Sequence, residues 1–167
     1  MEKWELILGI PFHPAKLSWR IGSKSRDGKK AMVLAYVDSR DVQDRLDKAV
    51  GKKNWTNEYR FQGDRVICRI GIKLDGEWVY KEDGAGDTKV ESEKGGLSDA
   101  FKRAAVHWGI NRAAYGLGNT WVDLNEKGYL PNDIQRQMTN KVPKSYMDEY
   151  ERYGRAINEI DKQAKKA

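Results

Sequence analysis

Seven cations stand out by their spacing. Lys102 and Arg103 are adjacent, Arg112 follows about three helical turns later near Trp108, and Lys94 precedes them. Arg65, Arg69 and Lys73 share one parity along a run whose other residues alternate apolar. The chemistry open to such rows is electrostatic, because lysines and arginines that neutralise phosphates release counterions from a nucleic acid. The formal charge of +6 favours the same kind of partner. Six tryptophans and eight tyrosines would add stacking surfaces for bases wherever they are exposed. On spacing alone, the same residues equally describe a solvated helix edge, an ordinary sheet face and an aromatic core.

Other chemistries fail on geometry. Gly22 to Gly28-Lys29-Lys30 misses the phosphate-loop spacing by one residue and lacks the hydroxyl. Gly84 and Gly86 follow an antiparallel-looking strand, which argues against a dinucleotide fingerprint. Cys68 lies mid-strand on the apolar parity, a position for core packing and not for a nucleophile. His107 reads as a surface or interface histidine. A metal-dependent nuclease would use clustered carboxylates; Asp64, Asp75, Glu77 and Lys81 are present, but at turns and strand edges where solvated charges are ordinary. One cysteine and two histidines, His13 and His107, do not make a zinc site. The expectation is therefore no catalytic residue, no metal and no cofactor. The absence of an apolar run of ~20 residues argues against a membrane span. A single cysteine and an N-terminus without a signal layout point to the reducing cytoplasm.

The elements that would position these cations follow from periodicity. Val66, Cys68, Ile70, Ile72 and Leu74 alternate as one buried face of a strand, with Gly63-Asp64 and Asp75-Gly76 as flanking hairpin turns. They predict an antiparallel meander over 55–62, 65–74 and 77–82. Asp38/Ser39 caps a helix running to Val50 and stopped by Gly51. A long helix is expected from Ser98 to Tyr115, capped by Ser98, with Leu97, Phe101, Ala104, Trp108 and Tyr115 on one face. Val106, Ile110, Ala113 and Leu117 gather opposite, so a second cover is needed, from a neighbouring subunit or the C-terminal segment. Gly109 reads as a bend or close-packing point within that helix. Residues 1–30 read as irregular, including a basic loop from Gly22 to Lys30, and the chain after Asn119 reads as loop through Pro143. An amphipathic helix starts at Ser145 with a Ser145/Asp148 capping box.

The segment from Gly95 to Val106, with Trp108-Gly109-Ile110 and Tyr115-Gly116-Leu117-Gly118-Asn119, resembles the Rad-fifty-two family of single-strand annealing proteins, its phage and bacterial branch above all. Tyr36-Val37-Asp38-Ser39-Arg40, Val42 to Gly51 closing on Asn54-Trp55, and Tyr80 to Gly86 follow in the same register. The resemblance covers residues 30–122. It implies an α+β fold with a curved antiparallel three-stranded sheet followed by a long helix (a β-β-β-α core), assembled into rings with DNA in an external basic groove. It implies ATP-independent annealing of complementary strands in recombination and repair, alongside single-strand binding proteins or recombinases. By position it assigns Arg112 to a phosphate contact on the long helix and Lys102 with Arg103 to an earlier basic pair. Asn111, Tyr115 and Asp41 stand where eukaryotic members are basic, with Arg40 one place before Asp41, so the implied groove is less basic.

The expected organisation is an irregular segment at 1–30, an annealing core at 31–122, and a loop with a C-terminal helix at 123–167. The expected ligand is single-stranded DNA and the expected state a homo-oligomeric ring in the cytoplasm of a bacterial or phage-infected cell. The DNA-contacting set is Arg112, Lys102, Arg103, Arg40, Lys94, Arg65, Arg69 and Lys73. Two other classes stay open: a metal-dependent DNA-processing nuclease, and a ring-forming adaptor that loads a recombinase.

Overall fold

The computed structural model describes residues 1–85 and 93–166, and for residues 93 and 94 the backbone alone. In chain order the elements are α1 (Lys3–Gly9), β1 (Ser18–Lys24), β2 (Lys30–Tyr36), α2 (Ser39–Val50), β3 (Trp55–Gln62) and β4 (Arg65–Leu74). There follow β5 (Glu77–Gly84), α3 (Glu93–His107), β6 (Thr120–Asp123), α4 (Ile134–Lys141) and α5 (Lys144–Ala164). Short 3-10 segments lie at Pro14–Lys16 and Arg112–Leu117.

The alternation in residues 66–74 builds what it should. Cys68, Ile70 and Ile72 are fully buried, and β4 is the middle strand of an antiparallel sheet ordered β3-β4-β5. The connecting turns use left-handed backbone at Gly63, Asp75 and Gly76, which favours small or Asx residues there. Helix α3 covers the apolar face of this sheet through Phe101 and Ala104, and Trp108, the residue after the helix, packs there too, its Nε1 donating to Ile70 O at 3.2 Å. This is the expected β-β-β-α unit. Helix α2 also starts and stops where its caps require. The Asp38 carboxylate accepts from the Arg40 amide at 2.9 Å, Gly51 ends the helix, and Val42 and Leu46 enter the same core.

Four expectations need correction. First, there are two three-stranded sheets where one was expected: β1-β2-β6 forms the second, also antiparallel. It takes β1 from the stretch read as irregular and β6 from the stretch read as loop, while α1 and α4 occupy the remainder of those stretches. Both strands sit at sheet edges and lack a continuous buried row, so neither carries a period-2 signature.

Second, α3 begins before Ser98 and ends at His107, not at Tyr115. Gly109 adopts φ 93° and closes the helix; its amide donates to Val106 O at 3.0 Å and the Ile110 amide to Ala105 O at 3.1 Å. That nested pair is a Schellman stop, in which a left-handed glycine lets the next amides cap the last carbonyls. The arginine at 112 reinforces it: Nε donates to Val106 O at 3.1 Å, and Nη2 to Val106 O and His107 O at 2.8 and 3.0 Å. Asn111 adds a second left-handed residue at φ 60°, and the chain continues as 3-10.

Third, Tyr115 is not on a buried helix face but 71% exposed, whereas Trp108 is core. Fourth, α5 starts at Lys144 with Pro143 at its N-cap and no side-chain cap, so Ser145 and Asp148 form no capping box. On this helix Tyr146 is buried. The Tyr146 hydroxyl donates to Phe12 O at 2.7 Å, and Val142 and Met147 pack against the same core as Ala113 and Leu117.

A second arginine closes another helix. Arg45 on α2 donates from Nη1 to Ile7 O and Ile10 O at the end of α1, and its guanidinium lies 4.0 Å over the Phe12 ring. Burial lowers its pKa to about 10. That is still well above neutrality, so the side chain stays cationic against helix-end carbonyls, where positive charge is favoured.

Candidate nucleic-acid interface

A groove of about 380 Å³ runs between the second sheet and the outer flank of α3. Strands β1 and β2 supply Arg20, Leu34 and Tyr36, α3 supplies Asp99, Lys102 and Arg103, and the segment after α3 supplies Asn111, Tyr115 and Asn119. Three cations therefore face one carboxylate. The Lys102 ammonium lies 5.5 Å from the Tyr36 ring centroid, a cation–π pairing that leaves its charge uncancelled. Arg103 is partly engaged, with Nε 3.9 Å from Asp83 Oδ1. Trp19 Nε1 and Asn111 Oδ1 are buried without a hydrogen-bond partner among the described residues, and both side chains belong to the groove wall. Native proteins leave few buried polar atoms in that state.

The N-terminus of α2 follows directly in the chain on Val37, which lines the groove. Asp38 is held below the usual carboxylate range chiefly by the Arg40 amide, then by the Arg40 side chain, with Lys102 a further cation in its field. Arg40 is exposed and 3.4 Å from Asp38, so its charge is shared with that carboxylate. On the other flank, Arg65, Arg103 and Asp83 line an adjoining cleft with Gln62 and Ile67. There Asp83 Oδ2 also meets His107 Nε2 at 3.1 Å.

The sequence of this chain has counterparts among known proteins. The family model described as "Rad52/22 family double-strand break repair protein" matches residues 2–133. The chain belongs to the Rad52/22 family. Two curated relatives are both titled "Single-stranded DNA-binding protein DdrA". The Deinococcus deserti protein is 35% identical over 121 residues, covering 71% of this chain and 60% of the relative. The Deinococcus radiodurans protein is 34% identical over 129 residues, covering 76% of this chain and 62% of the relative. The chain thus spans about three fifths of the length of these relatives.

Within this Rad52/22-family member the expected cations do not form one patch. Lys102 and Arg103 line the groove, Arg65 is in the adjoining cleft, and Arg40 lines neither. Arg112 is off the long helix and engaged with helix-end carbonyls through three of its five N–H donors; it is not a groove-lining residue. Arg69 and Lys73 lie on the far face of the β3-β4-β5 sheet, and the Lys94 side chain is outside the described residues. Sequence reasoning missed Arg20, because β1 went unrecognised; the alternation of Arg20 with Trp19 and Ile21 was its only trace.

The groups considered for other chemistry are also placed. Cys68 is buried and its thiol is pushed up to about 12 by burial, which keeps it protonated and unreactive. Asp64 sits at the β3–β4 turn, whereas Asp75 and Glu77 sit at the β4–β5 turn at the other end of β4. Lys81 is engaged elsewhere, donating to His107 O at 3.1 Å with its ammonium 4.5 Å over the Trp108 ring. These carboxylates cannot converge on one metal ion. Among the described residues, no group of three or more His, Cys, Asp or Glu could hold one, and no helix is long and apolar enough to cross a membrane.

Proposed function

We propose that this chain binds single-stranded DNA in the groove between α3 and the second sheet and anneals complementary strands without ATP, in recombination and repair. The observation that carries the proposal is the convergence of Arg20, Lys102 and Arg103 on one groove in a Rad52/22-family chain. The DdrA relatives, named as single-stranded DNA-binding proteins, support the ligand. Cations on one wall grip phosphates with little regard for sequence, while base edges stay free to test a second strand. Pairing itself then supplies the free energy. Arg40, exposed in the first turn of α2, would extend the phosphate path, and Arg112 would offer its Nη1 donors to a phosphate while its other donors hold the end of α3.

A ring of copies, acting in the bacterial or phage-infected cytoplasm beside a single-strand binding protein or a recombinase, is part of the same proposal. Ring closure would multiply weak contacts per protomer through effective concentration. The test is an annealing assay with naked complementary oligonucleotides and no nucleotide. Faster pairing with the protein is expected. No acceleration overturns the annealing function, and cleavage on adding magnesium or manganese would favour the nuclease instead.

A further inference from the structure

His107 is the last residue of α3, and its two ends meet different partners. Its carbonyl accepts from Lys81 Nζ at 3.1 Å and from Arg112 Nη2 at 3.0 Å, which fixes its backbone. Its ring reaches across to β5, where Nε2 lies 3.1 Å from Asp83 Oδ2. Arg103 stands four residues earlier on α3, the spacing that puts two side chains on one side of a helix. Its Nε lies 3.9 Å from the other oxygen of the same carboxylate, Asp83 Oδ1, which also accepts from the Gly84 amide at 2.7 Å. Asp83 therefore bridges His107 and Arg103, and of those two it is Arg103 that lines the groove.

One carboxylate thus serves two neighbours. While the imidazole is neutral, the negative charge of Asp83 is drawn to Arg103 and offsets the cation that a strand in the groove would meet. Once the imidazole is cationic, Oδ2 has an ion pair of its own, at a shorter distance than the 3.9 Å to Arg103. Charge-assisted hydrogen bonds are roughly twice as strong as neutral ones, so the carboxylate turns to His107 and Arg103 is released. Histidine is the side chain whose charge changes between about pH 5 and pH 8. The charges that face this ring are those of Asp83 and Lys81 from β5, Arg103 from its own helix and Arg112 from the 3-10 segment. Arg65 from β4 lines the same cleft as Asp83 and Arg103. His107 and Arg103 are both about half exposed, so water and protons reach the pair.

We propose that His107 is a positioning residue for single-strand binding: through Asp83 it sets how much of the Arg103 charge reaches the strand, so that the groove grips more tightly in mild acid. The proposal rests on the groove reading and adds to it a residue that touches no DNA. His13 is the other histidine, and it has no part in this link. It caps the 3-10 segment at Pro14–Lys16 and meets the Tyr150 ring edge-on, away from Asp83.

The intact chain is titrated with fluorescent oligothymidylate over a salt series at about pH 5.5 and about pH 8, on either side of the middle of the histidine range. The parent is compared with His107→Gln, Asp83→Asn, Arg103→Ala and His13→Gln. The parent is expected to bind about two- to fivefold more tightly at the lower pH, the weight of an exposed ion pair. Its slope of log K against log salt should steepen there by up to about 0.7, the share of one phosphate. His107→Gln keeps a hydrogen bond to Asp83 but cannot become charged, and should lose most of this response. Asp83→Asn keeps an acceptor for the Gly84 amide and should bind tightly at both values. Arg103→Ala should bind more weakly with little response, and His13→Gln should respond as the parent does. A parent without a pH response, or a full response in His107→Gln or Arg103→Ala, overturns the proposal. The groove reading is judged separately, by Lys102→Ala/Arg103→Ala, whose parent-like binding would sink it. The Arg103 Nε–H resonance of the labelled protein without DNA gives a readout that needs no strand. It should move over the histidine range in the parent and stay still in His107→Gln; a stationary resonance in the parent overturns the link through Asp83.

Discussion

Replacing Arg112 by alanine isolates a role that its position in the sequence conceals. The side chain donates three hydrogen bonds of 2.8–3.1 Å to Val106 O and His107 O, at the negative end of the α3 dipole. Hydrogen bonds with one charged partner contribute about 1.5–3 kcal/mol each in protected settings. Arg112 is exposed, so water replaces the donor readily and the three bonds share two acceptors. Screening then leaves about 1–2 kcal/mol for the whole group, including the helix-end charge interaction. For a chain of this length each kcal/mol corresponds to about 2–4 °C in Tm. Arg112→Ala is thus expected to lower Tm by about 2–8 °C, while Arg103→Ala, a surface change on the same helix, moves it by less than half as much. Calorimetry or circular-dichroism melts of the three proteins decide the matter. A melt for Arg112→Ala superimposable on the parent would refute the helix-closing role.

Other consequences are equally open to measurement. Gly109→Ala forces a Cβ into left-handed backbone that also lies near Gly9, and should cost about 1–2 kcal/mol in chemical denaturation; a loss below about 0.3 kcal/mol would contradict the stop at this residue. Burial raises Cys68 from 9.0 and Tyr146 from 10.0, each to about 12. Both are acids that the native state keeps protonated, so their contribution is complete below pH 9 and is lost as pH rises toward 12. The denaturant midpoint should hold from pH 7 to pH 9 and fall beyond it, less steeply in Cys68→Ala; equal alkaline slopes in the two proteins would contradict the Cys68 assignment.

Much of the β-β-β-α core was legible because each element carries its own local signal. The period-2 row from Val66 to Leu74 and the turns at Gly63 and Asp75-Gly76 specify the meander, and Asp38 with Gly51 brackets α2. The end of α3 was not legible, because apolar spacing reports burial and not backbone conformation. Ile110, Ala113 and Leu117 keep a helical rhythm and do pack into the core, yet they do so from a turn and a 3-10 segment beyond a left-handed glycine. The second sheet was hidden for a different reason. The partner of β2 on one side is β6, about 90 residues later, and nothing local in Thr120–Asp123 announces a non-local pairing. The groove inherits that opacity, since its walls join Arg20 and Tyr36 to Lys102 and Tyr115 across the same distance. Spacing and the resemblance supplied Lys102 and Arg103, and strand parity put Arg69 on the face away from the core, but only the fold shows Arg20 across the groove from the pair on α3.

The most direct measurement of the central claim is the salt dependence of single-strand binding by the intact parent and by Lys102→Ala/Arg103→Ala. Each phosphate neutralised on a single strand contributes about 0.7 to the slope of log K against log salt. The double variant should bind more weakly at low salt, with a slope shallower by about 1.4, somewhat less because Arg103 is shared with Asp83. Equal slopes and equal affinities for the two proteins would mean that DNA does not lie in this groove.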